Sequence, residues 1–129
     1  MSSSIITDYY RTKLADAVLN GGSVPSPVKL VLGSGGHSDT QVIDVSSSST
    51  AVRNKVGEKN ATVRSKAGPM AIVVGAEFSA SDIAATGSQK VISEAAIIDN
   101  TGQAIAIKNF SPKFIEIGET YSITMRINF

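Results

Sequence analysis

The sequence predicts an α+β fold made of a predominantly antiparallel β-sheet, one N-terminal α-helix and a long basic loop or ribbon. Three observations carry that prediction. Apolar residues recur at helical spacing over about residues 7–20. Two apolar runs flank Asn100-Thr101-Gly102, a turn sequence, and the chain ends in a stretch of strict apolar–polar alternation from Thr120 to Phe129. All 129 residues are read as a single domain, since a chain of this size buries about two-thirds of its unfolded surface in one core.

Tyr10, Leu14, Ala17 and Val18 follow the i, i+4, i+7, i+8 spacing that gathers side chains on one helix face. Thr7 is positioned to cap the start. Asn20-Gly21-Gly22 ends the helix, and Pro25 and Pro27 prevent its resumption. Val28-Lys29-Leu30-Val31-Leu32 is rich in strand formers and runs into the turn or open loop Gly33-Ser34-Gly35-Gly36. From about 46 to 68 no period is sustained. Ser46-Ser47-Ser48-Ser49-Thr50 is of low complexity, and Val52, Val56 and Val63 are widely spaced, so this segment reads as an irregular, exposed excursion. It is also basic: Arg53, Lys55, Lys59, Arg64 and Lys66 face the single acid Glu58, a local charge of +4 over residues 51–68.

The part from 69 to 129 is strand-rich. Met70 to Phe78 is long, β-branched and free of internal proline, and predicts a central strand. Lys90–Asp99 and Gln103–Phe110 read as an antiparallel hairpin with Gly102 at a positive-φ position, followed by a loop at Ser111-Pro112. In the last segment Tyr121, Ile123, Met125, Ile127 and Phe129 share one face, and Thr120, Ser122, Thr124, Arg126 and Asn128 the other. A strand this regular either pairs within the fold or meets another subunit.

Composition narrows the function. With no cysteine, disulfides, thiol catalysis and cysteine-ligated metals are excluded. Twelve Lys and Arg against eleven Asp and Glu leave a net charge of +1, where a dedicated nucleic-acid or anionic-membrane binder has a basic excess. No apolar run approaches the roughly 20 residues of a membrane helix. Met1-Ser2-Ser3-Ser4 lacks the basic and apolar regions of a signal peptide.

No catalytic, cofactor-binding or metal-binding residue is assigned. Ser34, His37 and Asp39 lie close along the chain, but a triad places its base between nucleophile and acid in space, and no G-x-S-x-G elbow is present. A single histidine cannot build a multi-histidine zinc site. Asp39 and Asp44 lack EF-hand spacing. Gly33-x-Gly35-Gly36 satisfies neither the P-loop nor the dinucleotide pattern, and no helix follows it. Glu94 stands out inside an apolar strand, as a matter of face alternation or as a buried partner for Arg126 or Lys108. The candidate partner interface is the basic set Arg53, Lys55, Lys59, Arg64 and Lys66, without an aromatic residue among them for base stacking.

The run from Ile92 to Pro112 resembles a block of bacteriophage tail-collar fibre proteins: an acid (Glu94) after the sheet entry, a short apolar strand, an Asp-x-x-Gly turn (Asp99 to Gly102), a second apolar strand, and an Asn109-Phe110-Ser111-Pro112 exit. The N-terminal part is similar as well, with a short helix through Lys13-Leu14-Ala15-Asp16-Ala17 and a strand entering Gly33-Ser34-Gly35-Gly36. Ser93 stands where that family has Arg before the acid, and positions 41–88 follow the pattern only loosely. The resemblance implies a non-enzymatic structural virion protein, made in the host cytoplasm and carried in the tail, which attaches or adapts a tail fibre at baseplate or collar. It implies other tail or baseplate proteins and the fibre as partners, a homo-oligomer, and no cofactor. Members continue into a fibre shaft, so a chain stopping at Phe129 is expected to be the attachment module alone. The alternative is a nucleic-acid-associated protein using residues 51–68, and a third reading is a small hydrolase centred on Ser34, His37 and Asp39.

Overall fold

The computed structural model describes residues 4–129, so the Met1-Ser2-Ser3 start considered above lies outside the described residues. The element order is β1 (Ile5–Ile6), α1 (Asp8–Asn20), β2 (Pro27–Gly33), β3 (His37–Ser38), β4 (Gln41–Val42), β5 (Lys55–Asn60), β6 (Val63–Lys66), β7 (Ala71–Ser79), a 3-10 turn at Ala80–Asp82, β8 (Lys90–Asp99), β9 (Ala104–Ile115) and β10 (Thr120–Asn128). A five-stranded sheet in the order β1-β9-β8-β2-β5 faces a three-stranded sheet in the order β10-β7-β6, and β3 and β4 form a small separate hairpin. Every strand pairing is antiparallel.

The expected α+β class is therefore corrected: the described chain is mostly antiparallel β-sheet with one short helix. The helix is too minor a partner to form a layer. Of its thirteen residues only Tyr10 is buried, with Leu14 and Ala17 half-buried, and Val18, placed by spacing on the buried face, is 86% exposed. Thr7 caps α1 by accepting from the Tyr10 N–H (3.3 Å), and its hydroxyl donates to the Ala104 carbonyl (2.7 Å), fastening the helix start to β9.

The long basic loop is corrected too. Residues 55–60 and 63–66 are strands, and the two residues between them carry the chain from the edge of one sheet to the edge of the other. Sequence periodicity misses them because an edge strand buries little: on β5 only Val56 is buried, and β6 is exposed throughout. The serine tract is not a detached excursion either. Val45 and Val52 on either side of it pack on Val31, Ala96, Ile98, Ala104 and Ile107, covering the outer face of the five-stranded sheet.

Between the sheets lies the main core, where Leu30, Leu32, Ile92, Ile97 and Ile105 of the larger sheet meet Val74, Phe78, Met125 and Ile127 of the smaller one, with Ile83 at one end. β8 is buried at nine of its ten positions, because both of its faces are covered and strands flank it on either side. The expected loop at Ser111-Pro112 is also replaced: β9 continues to Ile115, and Pro112 falls where the register with β8 shifts between Ile92 and Glu94. A register shift is where a residue without an N–H fits a strand interior.

Asp99 holds the hairpin between β8 and β9. Its Oδ1 accepts from the Thr101 N–H (2.8 Å), the Thr101 hydroxyl (2.7 Å) and the Gln103 N–H (3.0 Å), and its Oδ2 accepts from the Tyr9 hydroxyl (2.6 Å). Burial pushes this carboxyl's pKa up, but the hydrogen bonds from Tyr9, Thr101 and the two amides outweigh it and hold the pKa below the ordinary carboxylate range. A pKa lower in the folded than in the unfolded chain gives stability that is full above the unfolded value, about 3.9, and is lost as pH falls through the folded value. Asp99→Asn should therefore cost about 1 kcal/mol at pH 7 and progressively less below pH 4. Urea unfolding of both proteins from pH 7 to pH 2.5 measures this, and a difference that does not shrink in acid contradicts it.

Candidate functional site

The candidate site is built where the Gly33–Gly36 loop leaves β2 beside β8. In the β2–β8 register Gly33 lies opposite Glu94, and a Cβ on Gly33 would overlap the Glu94 carboxylate. The missing side chain is what lets the carboxylate fold back over β2. At Gly35 a Cβ would stand 2.6 Å from the Arg53 Cβ and 2.9 Å from Glu94 Oε2, and at Gly36 it would run into the Ser93 carbonyl. The glycines are thus needed here for close approach rather than for phosphate cradling.

Glu94 is 1% exposed, and neither Arg126 nor Lys108 pairs with it. Arg126 lies on the other sheet. Lys108 is paired with Ala95, and neighbouring strand residues point to opposite faces. Three backbone amides hold the carboxylate instead: Gly35 N–H (2.7 Å) and Asn54 N–H (2.9 Å) donate to Oε2, and Arg53 N–H (2.8 Å) donates to Oε1. One buried acid therefore clamps the glycine loop and the entry to β5 onto β8. Such charge-assisted bonds are about twice as strong as neutral ones, which offsets the cost of burying the acid.

Beside it, Ser93 Oγ accepts from the Gly36 N–H (2.9 Å) and lies 2.7 Å from His37 Nδ1. Ser34 turns away to Thr86 (2.9 Å) and accepts from Asn54 Nδ2 (2.6 Å), while Asp39 occupies a turn at φ 54°. Ser34, His37 and Asp39 therefore do not converge. Ser93, the hydroxyl that does meet His37, is fully buried and already accepts an amide, so this serine–histidine pair does not present its hydroxyl to solvent. Among the described residues no group of three or more His, Asp or Glu has metal-holding geometry, and no helix is long and apolar enough to cross a membrane.

The five basic residues are dispersed. Lys55 Nζ pairs with Glu58 (2.8 Å), which also takes Lys29 (3.1 Å); hydrogen bonds from Lys55 and then Lys29 hold the Glu58 carboxyl below its ordinary range. Lys59 pairs with Asp82 (3.2 Å), whose pKa is lowered by the Ser79 amide and hydroxyl and then by Lys59. Arg64 donates to the Pro27 carbonyl (2.9 Å), and Arg53 contributes its main chain to Glu94. Lys66 ends β6 without an ion pair among the described residues. Glu94 was the residue whose role spacing alone left open. Its signal was a lone buried-strand acid together with glycines at 33 and 35.

The concave features are open grooves on the sandwich rim. One of about 620 Å³ runs between the C-terminal half of β9 and β10 and is lined by Phe110, Lys113, Tyr121, Thr124 and Val42. Comparison with protein-family models returns no match, and neither does comparison with curated proteins.

Glu94→Gln tests the clamp. An amide offers one acceptor oxygen where the carboxylate has two, so at least one buried N–H faces a donor. The loss should be about 2–3 kcal/mol with an unchanged urea m-value, and hydrogen exchange should quicken at Gly35, Arg53 or Asn54 while the β7 and β10 amides keep their protection relative to global stability.

Proposed function

We propose that this protein is a non-enzymatic structural component of a phage tail, attaching or adapting a fibre at the baseplate or collar. The observation that carries the reading is how the polar groups are used: the Glu94 carboxylate is taken up by the Gly35, Arg53 and Asn54 amides, and the Ser93 hydroxyl by the Gly36 amide and the His37 ring. The surface meanwhile offers sheet edges and isolated apolar tips such as Ile117, 96% exposed, beside Phe114, 59% exposed. A fold that uses its reactive groups for rigidity and leaves edges and tips free suits a building block. The resemblance of residues 92–112 to tail-collar fibre proteins supplies the kind of assembly.

The basic residues give less support to a nucleic-acid role. Lys55 and Lys59 are each neutralised by a carboxylate, and the set is divided between two strand edges rather than gathered in one stripe.

Mixing the purified chain with tail, baseplate and fibre proteins encoded alongside it, followed by size exclusion with light scattering, should give a defined complex with at least one of them. Binding to none sinks the tail reading. Duplex DNA at low salt should show no mobility shift, and a steeply salt-dependent shift would favour the nucleic-acid alternative instead.

A further inference from the structure

The edges of the two sheets are not treated alike. β1 is two residues long; β5 carries Lys55 and Lys59 and a register shift against β2 between Leu32 and Gly33; β6 is four residues long and carries Arg64 and Lys66. Where β9 extends beyond β1 it carries Pro112, Lys113 and the register shift against β8. Shortness, lysines, proline and bulges are the features that prevent an edge from recruiting another strand. β10 has none of these. It runs nine residues without proline or lysine, paired to β7 in one unbroken register on one side and to no strand among the described residues on the other.

Which backbone groups are free follows from parity. The Phe129 N–H bonds to the Met70 carbonyl (2.8 Å), and the Ala80 N–H bonds to the Glu119 carbonyl (3.0 Å). These two bonds belong to one antiparallel series in which odd-numbered β10 residues bond to β7. Gly75, opposite Thr124, points its carbonyl the other way, to the Thr62 N–H (2.9 Å). The N–H and C=O groups of Thr120, Ser122, Thr124, Arg126 and Asn128 therefore point outward from the open edge.

We propose that the open edge of β10 pairs antiparallel with β10 of a second copy of this chain, about a two-fold axis at Thr124, giving a dimer with a continuous six-stranded sheet. Only even-numbered residues offer outward groups, so the register with greatest overlap sets Thr124 opposite its own copy, Ser122 opposite Arg126 and Thr120 opposite Asn128. The underside then places Ile123 opposite Met125 and Tyr121 opposite Ile127. Every pair is of like polarity.

Charge favours the same register. On the outer face Glu77 lies opposite Ser122, whose hydroxyl donates to it (3.3 Å), and Glu77 has no ion pair among the described residues. Arg126 donates from Nε to Asn128 Oδ1 (2.9 Å) and has no carboxylate partner among the described residues. In the dimer each Arg126 stands across the small Ser122 from the other copy's Glu77. Two strand spacings, about 10 Å between Cα atoms, is within the joint reach of Arg and Glu side chains. The register centred on Arg126 would set two arginines face to face, and like charges directly opposite are disfavoured.

Sedimentation equilibrium of the full chain from about 1 to 300 µM tests this. The expected mass is twice 13.4 kDa. Thr124→Pro removes an N–H that the single chain leaves unpaired, so it should keep the fold by circular dichroism and weaken the dimer at least about tenfold. Arg126→Glu should weaken it about tenfold by opposing Glu77, and the exchange Glu77→Arg with Arg126→Glu should restore it. If Thr124→Pro does not fold, the charge reversal and its rescue decide. A wild-type monomer throughout, an open-ended oligomer, a dimer undiminished in the folded Thr124→Pro protein, or a reversal that the exchange does not rescue overturns the proposal. The inference rests on strand geometry and not on the tail reading, since a β10 dimer that binds no tail protein upholds it while sinking that reading.

Discussion

The buried carboxylate of Glu94 is the interaction on which the arrangement around β8 depends. A charge at 1% exposure survives only if its oxygens are satisfied, and no cation among the described residues satisfies them. Three amides do, from two chain segments well separated in sequence: Gly35 in the loop after β2, and Arg53 and Asn54 at the entry to β5. Because those segments flank the length of chain that covers the outer face of the larger sheet, the clamp also fixes where Val45 and Val52 can pack.

The glycines make this geometry available. Gly33 lies beneath the carboxylate, Gly35 offers its amide from a distance at which any side chain would collide, and Gly36 fits against the Ser93 carbonyl. Composition of this kind resembles a ligand-cradling loop in sequence, yet the anion it cradles is part of the same protein. The second acid on β8, Asp99, plays the matching role at the far end of the strand, where it draws the hairpin turn and Tyr9 of the helix together. β8 is thus held at its middle through Ser93 and Glu94 and at its C-terminal end through Asp99, with an apolar run between.

Charge elsewhere follows a different logic. The basic residues of the middle segment lie on β5 and β6 or just before them, where they keep two edges from recruiting strands, and carboxylates from β5 itself and from the 3-10 turn neutralise the two on β5. The near-zero net charge is therefore partly local pairing rather than a basic loop balanced by a distant acidic remainder. β10, left without such protection, is the surface through which the sheet can be extended.

Much of the fold was legible in the sequence, and what was not has a physical cause. The helix from Asp8 to Asn20, the hairpin around Asn100-Thr101-Gly102 and the alternating terminal strand are local in origin: a cap, a turn and a period of two are properties of neighbouring residues. The α+β class was not legible, because thirteen helical residues in a row say nothing about whether the helix forms a layer or rests on a sheet rim. β5 and β6 were not legible, because an edge strand buries so few side chains that no period is written into it. Lone glutamate and paired glycines stood in plain view at 33, 35 and 94, but their meaning lies in contacts some 40 and 60 residues apart. Sequence alone determined the helix, the hairpin and the terminal strand; only the tertiary structure decided that the middle segment forms edge strands and that the acid's partners are amides, since burial and hydrogen bonding between distant segments exist only once the chain has folded.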